Sequence, residues 1–439
     1  MAAILEIFRA ALAAVDPRRL VSAELRRLDL AGAFDPRRFS RIVIAGAGKA
    51  AAGMGLAAEE VLGERIASGV LALPRGDPSP FRVITPIAAG HPLPDEESER
   101  AARAALAALR ASGGETLVLF LLSGGASALL AAPAPGITLA DKRKATERLL
   151  RAGAAIAELN AVRKHLSAVK GGRLAAAAHP AAVLTLVLSD VPGDDPGVIG
   201  SGPTAADLST FADALAAIER LGGRGAFPGP VLELLERGAA GGAEETPKPG
   251  DPLLERSELR IIGGSASALA AAAAKAAALG WPADVAATPV VGEASEAGRW
   301  LAGRALRAQA ALAPGGRRCL LSGGETTVTV RGPGRGGRNQ ELALAFAVAV
   351  AARSGIGLLS AGSDGRDGLT DAAGAVVDGA TVPRAAALEL DAQRFLSGND
   401  SHSFFAELDR RGGGHPLLRT GPTGTNVADL QVILVSRPR

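Results

Sequence analysis

Short, nearly uninterrupted apolar runs recur along the chain: Ile42 to Ala45, Leu117 to Leu122, Val183 to Leu188, Cys319 to Leu321, Ile356 to Ser360 and Leu430 to Val435. Runs of this length without polar alternation read as buried strands. Shorter candidates are Gly69 to Leu73, Val83 to Thr85, Leu259 to Ile262 and Ala283 to Ala287. Between them lie Ala-rich stretches with helical spacing. Residues 1–30 read as helices, the second starting at Asp16-Pro17. Others open at Pro94-Asp95-Glu96-Glu97, span 265–279, contain Trp300, or begin near Gln340. Strands alternating with helices predict an α/β fold. Ser322-Gly-Gly-Glu325 reads as a tight turn, with Thr326 to Val330 alternating as a second strand behind it.

The stretch 236–252, ERGAAGGAEETPKPGDP, mixes glycines, charges and prolines, so a domain boundary is expected there. That gives domains at 1–240 and 253–439, and leaves open whether the last strand returns to the first. At 439 residues each domain can bury a sizeable core. Aromatics are 3% and Tyr is absent, so the cores must rest on Leu, Val, Ile and Ala. The net charge of +3 comes with no long basic run, which argues against nucleic acid. Cys319, the lone cysteine, excludes an intramolecular disulfide and reads as a small core residue. Residues 1–15 resemble an amphipathic helix carrying Glu6 and Arg9 rather than a signal peptide, and no long apolar run suggests a membrane span. A cytoplasmic location is expected. A homodimer is compatible with the sequence but not required by it.

The chemistry gathers at strand ends. Gly46-Ala-Gly48-Lys49-Ala-Ala51 follows the first strand and opens a helix, where backbone N–H groups can hold an anion. It fits a dinucleotide turn formally, but Pro74-Arg75 after the next strand offers no carboxylate for a ribose. Lys49 suits a phosphate; the plain alternative is a solvated lysine. His91 reads chiefly as a loop residue bonded to backbone. Ser123-Gly124-Gly125 ends another strand, and IIGGSASALA and LLSGGETTVT echo it. Asn160 and Lys164 share a helix face amid Arg163, Lys170 and Arg173, either as ligand contacts or as a solvated basic face. Asp190, with Asp194 and Asp195, could hold Mg²⁺ at a strand tip. Asp364 and Asp367 in a Gly-rich turn suit Mg²⁺ or proton acceptance, or are simple turn formers. Arg335 and Arg338 stand in a Gly-rich loop where arginine could clamp carboxylate or phosphate. Together these turns predict a phosphorylated ligand.

The motif string resembles one family, the class II glycerate 2-kinases, with a DUF4147-type first part and a MOFRL second part. The resemblance runs over nearly the whole chain. It is carried by GAGKAA at 46–51, GHPLPD at 90–95, LLSGGASAL at 121–129, LNAVRKHLSAVKGGRLA at 159–175 and SDVPGDDPGVIGSGPT at 189–204. In the second half it is carried by LSGGETTVTV, GRGGRNQELALA, SAGSDGRDGLTDAAGAVVDG at 360–379 and GPTGTNVADL at 421–430. It implies a Rossmann-like αβα sandwich, a second α/β domain of MOFRL type, and an active site in the cleft between them. It also implies ATP-dependent phosphorylation of D-glycerate to 2-phosphoglycerate. Lys49 and Arg338 match the family's leading catalytic residues. By chemistry, Asp364 or else Asp190 would hold Mg²⁺ or accept the hydroxyl proton. Gly48, Ser123, Gly124, Gly125, Asn160, Lys164, Glu325 and Asn399 would contact substrate or ATP. The rival readings are an NAD(P)H-dependent hydroxypyruvate reductase and a non-catalytic sugar-acid sensor.

Overall fold

The computed structural model describes residues 2–28, 32–77, 79–412 and 414–439. By its contacts the chain forms two compact units: Pro17–Ile262, and residues 2–16 with Gly263–Arg439. The helices expected over 1–30 are Ala2–Ala14 and Pro17–Leu28; positions 1, 29 and 30 lie outside the described residues.

The Pro17–Ile262 unit is built on β1 (Arg41–Ala47), β2 (Ile66–Pro74), β3 (Ile84–Ala89), β4 (Thr116–Ser123), β5 (Ala182–Leu188) and β6 (Ser257–Gly263). Their order is β3-β2-β1-β4-β5-β6, and the pairs from β3 through β5 are parallel. Every residue of β4 and β5 is buried, which is why their sequences are unbroken apolar runs. Helix Glu96–Arg110 packs Ala101, Ala105 and Leu109 against Val118, Phe120 and Leu122. Asp95 caps it, accepting the Ser98 N–H at 2.9 Å, with Glu96, Glu97 and Glu99 in its first turn facing the positive end of the helix dipole.

The other unit holds β7 (Ala283–Val285), β8 (Val290–Glu293), β9 (Arg317–Thr327), β10 (Ile356–Gly362), β11 (Gly374–Asp378), β12 (Leu417–Leu418) and β13 (Asp429–Ser436). The order is β12-β11-β10-β13-β9-β7, with β8 also paired to β9. Helix Arg338–Ala349 is buried all along Asn339 to Ala347, its polar first turn Asn339, Gln340 and Glu341 included, and from Leu342 on its sequence has no polar face.

The structure differs from the sequence expectations in three places. Ser322 to Glu325 is not a turn: β9 runs straight through it, pairing Gly323 with Leu430 and Gly324 with Asp429. The glycine is needed for close approach instead. Gly324 has φ +150°, and a Cβ there would lie 2.1 Å from the Val290 carbonyl oxygen of β8. The strand expected through Val330 ends at Thr327. The division between units falls at 262/263 rather than within 236–252, because β6 completes the first sheet beside β5. Helix Ala2–Ala14 belongs with the C-terminal unit, and β13 is central to that unit's own sheet.

Candidate active site

In a sheet of this strand order the crossovers leave β1 and β4 in opposite directions, so their carboxyl ends open a crevice at the switch point. The GAGK and SGG turns lie there. Gly48 has φ +140°, and a Cβ on it would stand 2.1 Å from Ser123 Oγ, so only glycine fits. The turns are stitched together: the Lys49 N–H donates to the Gly124 carbonyl at 2.8 Å and the Ala50 N–H to Ser123 Oγ at 3.0 Å. Lys49 is thereby set at the start of helix Ala51–Leu62, its side chain partly exposed. A Cβ on Gly125 would be 3.4 Å from Lys49 Cγ and 3.0 Å from His91 Cδ2, so lysine and histidine flank one glycine. His91 thus stands at the crevice, more than a loop filler.

Other expected contacts in this unit have partners within the protein. Ser123 is fully buried, with its hydroxyl spent on the Ala50 N–H. Lys164 is an ion pair, 2.9 Å from Asp207, with both side chains buried. Asn160 Oδ1 accepts the Ser201 hydroxyl at 3.1 Å. The helix face they share is interior, not a solvated basic face: Asn160 and Lys164 are both buried, as is Lys170 beyond the helix. Asp190 is half-buried at the tip of β5.

In the C-terminal unit Arg338 begins its helix and is held by two carboxylates. Nε and Nη2 donate to Asp429 at 2.6 and 2.9 Å in a bidentate fork, and Nη1 lies 2.9 Å from Glu325. Burial alone would lower the guanidinium pKa, but Asp429 more than offsets it and holds the group above its ordinary range. Asp429 went unrecognised in the sequence; its one signal is an acid heading the apolar strand Leu430 to Val435. Asp364 is half-buried, and its Oδ1 accepts the Arg366 N–H at 3.0 Å, closing a turn. Asp367 is a capping residue, accepting from the Asn339 and Gln340 N–H groups at 3.0 and 2.8 Å. Burial pushes its carboxyl up to about 6 against those bonds. Asn399 clamps a loop, accepting from the Arg331 and Gly332 N–H groups and donating to Glu341 at 3.0 Å. It lines a pocket of ≈ 360 Å³ with Glu293, Glu296, Arg299, Arg331 and Glu341.

Asp190 and Asp364, the two candidate Mg²⁺ ligands, belong to different units. Among the described residues no three His, Cys, Asp or Glu side chains gather where they could hold a metal ion. That donor set does not make a protein cage. It fits Mg²⁺ only as an ion carried largely by substrate phosphates, with one or two carboxylates added.

Strand order and switch-point turn define a doubly wound α/β protein, joined here to a second α/β unit. Comparison with known proteins narrows this class. Residues 3–236 match the family described as domain of unknown function DUF4147, and residues 318–429 match the MOFRL family. D-glycerate 2-kinase of Thermotoga maritima is 41% identical over 98% of this chain and 97% of its own. An Agrobacterium vitis protein with a provisional hydroxypyruvate reductase name is also 41% identical, over 98% of this chain and 93% of its own. The crystal structure of glycerate kinase (EC 2.7.1.31) from Thermotoga maritima superposes with a TM-score of 0.85 at 39% identity, covering 99% of both chains. The chain belongs to the class II glycerate 2-kinase family.

Proposed function

We propose that this chain transfers the γ-phosphoryl group of ATP to the 2-hydroxyl of D-glycerate, giving 2-phosphoglycerate and ADP. The observation that carries the reading is Lys49, fixed at the switch-point crevice by the Gly48–Ser123 approach and flanked by His91. Phosphoryl transfer needs positioning and charge neutralisation more than covalent chemistry. Lys49 neutralises the transferring phosphate. Arg338 takes the glycerate carboxylate or the γ-phosphate, keeping its buried Asp429 fork and exchanging the exposed Glu325 for the substrate oxyanion. An exposed ion pair is worth only about 0.2–1 kcal/mol, so that exchange costs little. Asp364 or Asp190 would hold a Mg²⁺ ion that neutralises the ATP phosphates, or would accept the hydroxyl proton. We place the reaction in the cytoplasm.

The reductase reading is disfavoured at the tip of β2. Arg75 stands there, and the neighbouring carboxylate, Asp95, is committed to the Gly90 and Ser98 N–H groups and to an ion pair with Arg75. Neither leaves an acid for a ribose.

The test is turnover with D-glycerate, ATP and Mg²⁺, read by enolase without the mutase so that only 2-phosphoglycerate reports. The wild-type protein turns over, and Lys49→Ala lowers kcat by roughly 100-fold or more. Full activity in Lys49→Ala, or NADH oxidation by hydroxypyruvate in place of kinase turnover, sinks the reading.

A further inference from the structure

One group of charges in the Pro17–Ile262 unit has no part in the chemistry above. Arg163 lies in the last turn of helix Ile156–His165, Lys170 follows that helix, and Lys142 lies in helix Leu139–Arg151. Lys170 is 2% exposed and Lys142 5%. Arg163 and Lys170 converge on one hydroxyl. Arg163 Nη2 donates to Ser127 Oγ, and Lys170 Nζ is 2.8 Å from the same atom. Lys170 Nζ also reaches the Ser127 carbonyl at 3.0 Å and the Gly200 carbonyl at 3.4 Å. Ser127 Oγ lies 3.1 Å from Ser201 Oγ, which donates to Asn160. Lys142 Nζ is 3.5 Å from the Ala132 carbonyl.

Lys142 and Lys170 are withdrawn from water and Arg163 half so; cations so placed repel one another and lose hydration, and such charges are normally paired. Neighbouring Lys164 follows that rule with Asp207. Arg163, Lys170 and Lys142 do not: among the described residues none of them makes an ion pair with a carboxylate. Burial lowers the pKa of all three. Lys142 falls to about 7, Arg163 adding to the burial and Glu99 opposing it, and Lys170 falls well below its ordinary value beside Arg163 and Lys142. Ser127 lies two residues past Gly125, against which Lys49 and His91 pack, so the cluster adjoins the crevice.

We propose that Arg163 and Lys170, gathered on Ser127, are the seat of a small oxyanion, the carboxylate of the hydroxy-acid substrate or a terminal phosphate of the nucleotide. The donors that meet the ligand are those of Arg163, whose guanidinium spends one N–H on Ser127, while Lys170, already engaged by Ser127 and Gly200, holds that hydroxyl in place, and no carboxylate stands among them to repel an anion. Only the identity of the oxyanion rests on the kinase reading. The seat itself rests on the cluster.

The experiment uses full-length protein, Lys170→Met and Arg163→Gln. Thermal unfolding is compared in sodium sulfate and in sodium chloride of equal ionic strength, and KM is measured for D-glycerate and for ATP. Sulfate protects the wild-type protein beyond the chloride effect, and both variants lose that protection. In the variants the KM for one substrate rises roughly 10- to 100-fold, as expected for losing a charge-assisted hydrogen bond, while the other moves less than about twofold. A rise confined to glycerate assigns the carboxylate; one confined to ATP assigns the phosphate. If Lys170→Met does not fold, Arg163→Gln, whose side chain is only half-buried, carries the same measurement. Should the wild-type protein lack glycerate kinase turnover, lost sulfate protection still supports the seat and only the substrate reading fails. Sulfate protection equal in wild type and variants, with both KM values unmoved, overturns the proposal.

Discussion

Arg338 shows how one side chain is fixed by partners of unequal worth. Asp429 is 1% exposed at its side chain and Glu325 56%. Asp429→Asn therefore leaves a part-buried guanidinium with half its fork. We expect a loss of about 2 kcal/mol in urea unfolding, below the value for a fully buried pair because Arg338 is itself one-third open. Glu325→Gln should cost less than about 1 kcal/mol in the same assay. Cys319 is a second case. Burial pushes its thiol up to about 12, with Asp284 adding to the effect, so almost no thiolate exists at neutral pH. A thiol reagent should find nothing to react with in the native protein and one equivalent in denaturant. Lys142 supplies a pH dependence. With a folded pKa of about 7 and an ordinary value of 10.5, the unfolded chain binds more protons between those limits, so stability rises with pH across that window. The Lys142 share of the slope is at most about 1.4 kcal/mol per pH unit, and the slope should fall by that share in Lys142→Met, with the contribution of Lys170 remaining, when denaturant midpoints are compared from pH 7 to 10.

At the scale of elements, apolar runs such as Leu117 to Leu122 were legible as strands because both of their faces are buried. Ser322-Gly-Gly-Glu325 was not, because small residues fit two physical needs, a reversal of the chain and the close approach of a neighbour, and only the position of β8 decides between them. Gly324→Ala should accordingly act through a clash rather than through lost flexibility. A cost of about 2–4 kcal/mol is expected, read by chemical denaturation, with strand pairing at Val290 lost first in hydrogen exchange. The site divides the same way. Lys49 and Arg338 stand in compact local motifs and could be picked from sequence. Ser127 meets Arg163 and Lys170 only after two segments some thirty-five residues apart fold together, so their spacing in sequence carries no sign of it. Lys164, which shares a helix face with Asn160, is paired with a carboxylate, Asp207, and the adjacent Arg163 on the same helix is bonded to Ser127 instead.

For the molecule as a whole, the division at 16/17 and 262/263 makes one unit an insertion within the other. The sequence hid this behind the Pro- and Gly-rich stretch at 236–252, which looks like a linker and is followed by a strand of the first sheet. Helix Ala2–Ala14 buries Ile4, Ile7, Phe8 and Ala11, and its Glu6 pairs with Lys275 of helix Ser265–Ala278 at 2.9 Å. Removing residues 2–14 should strip hydrogen-exchange protection from helix Ser265–Ala278 and leave β1 and β4 protected. Equal loss in both sheets would contradict the division.

That pairing also sets an order of events during synthesis. The first helix leaves the ribosome early, but the helix it packs against is encoded some two hundred and fifty residues later. At roughly 5–20 residues per second the wait is about 12–50 s. Through it, the face bearing Ile4, Ile7 and Phe8 has no native partner while the inserted unit folds to completion. The nascent chain should therefore be a client for apolar-binding chaperones early and should lose them only when residues 265–278 emerge.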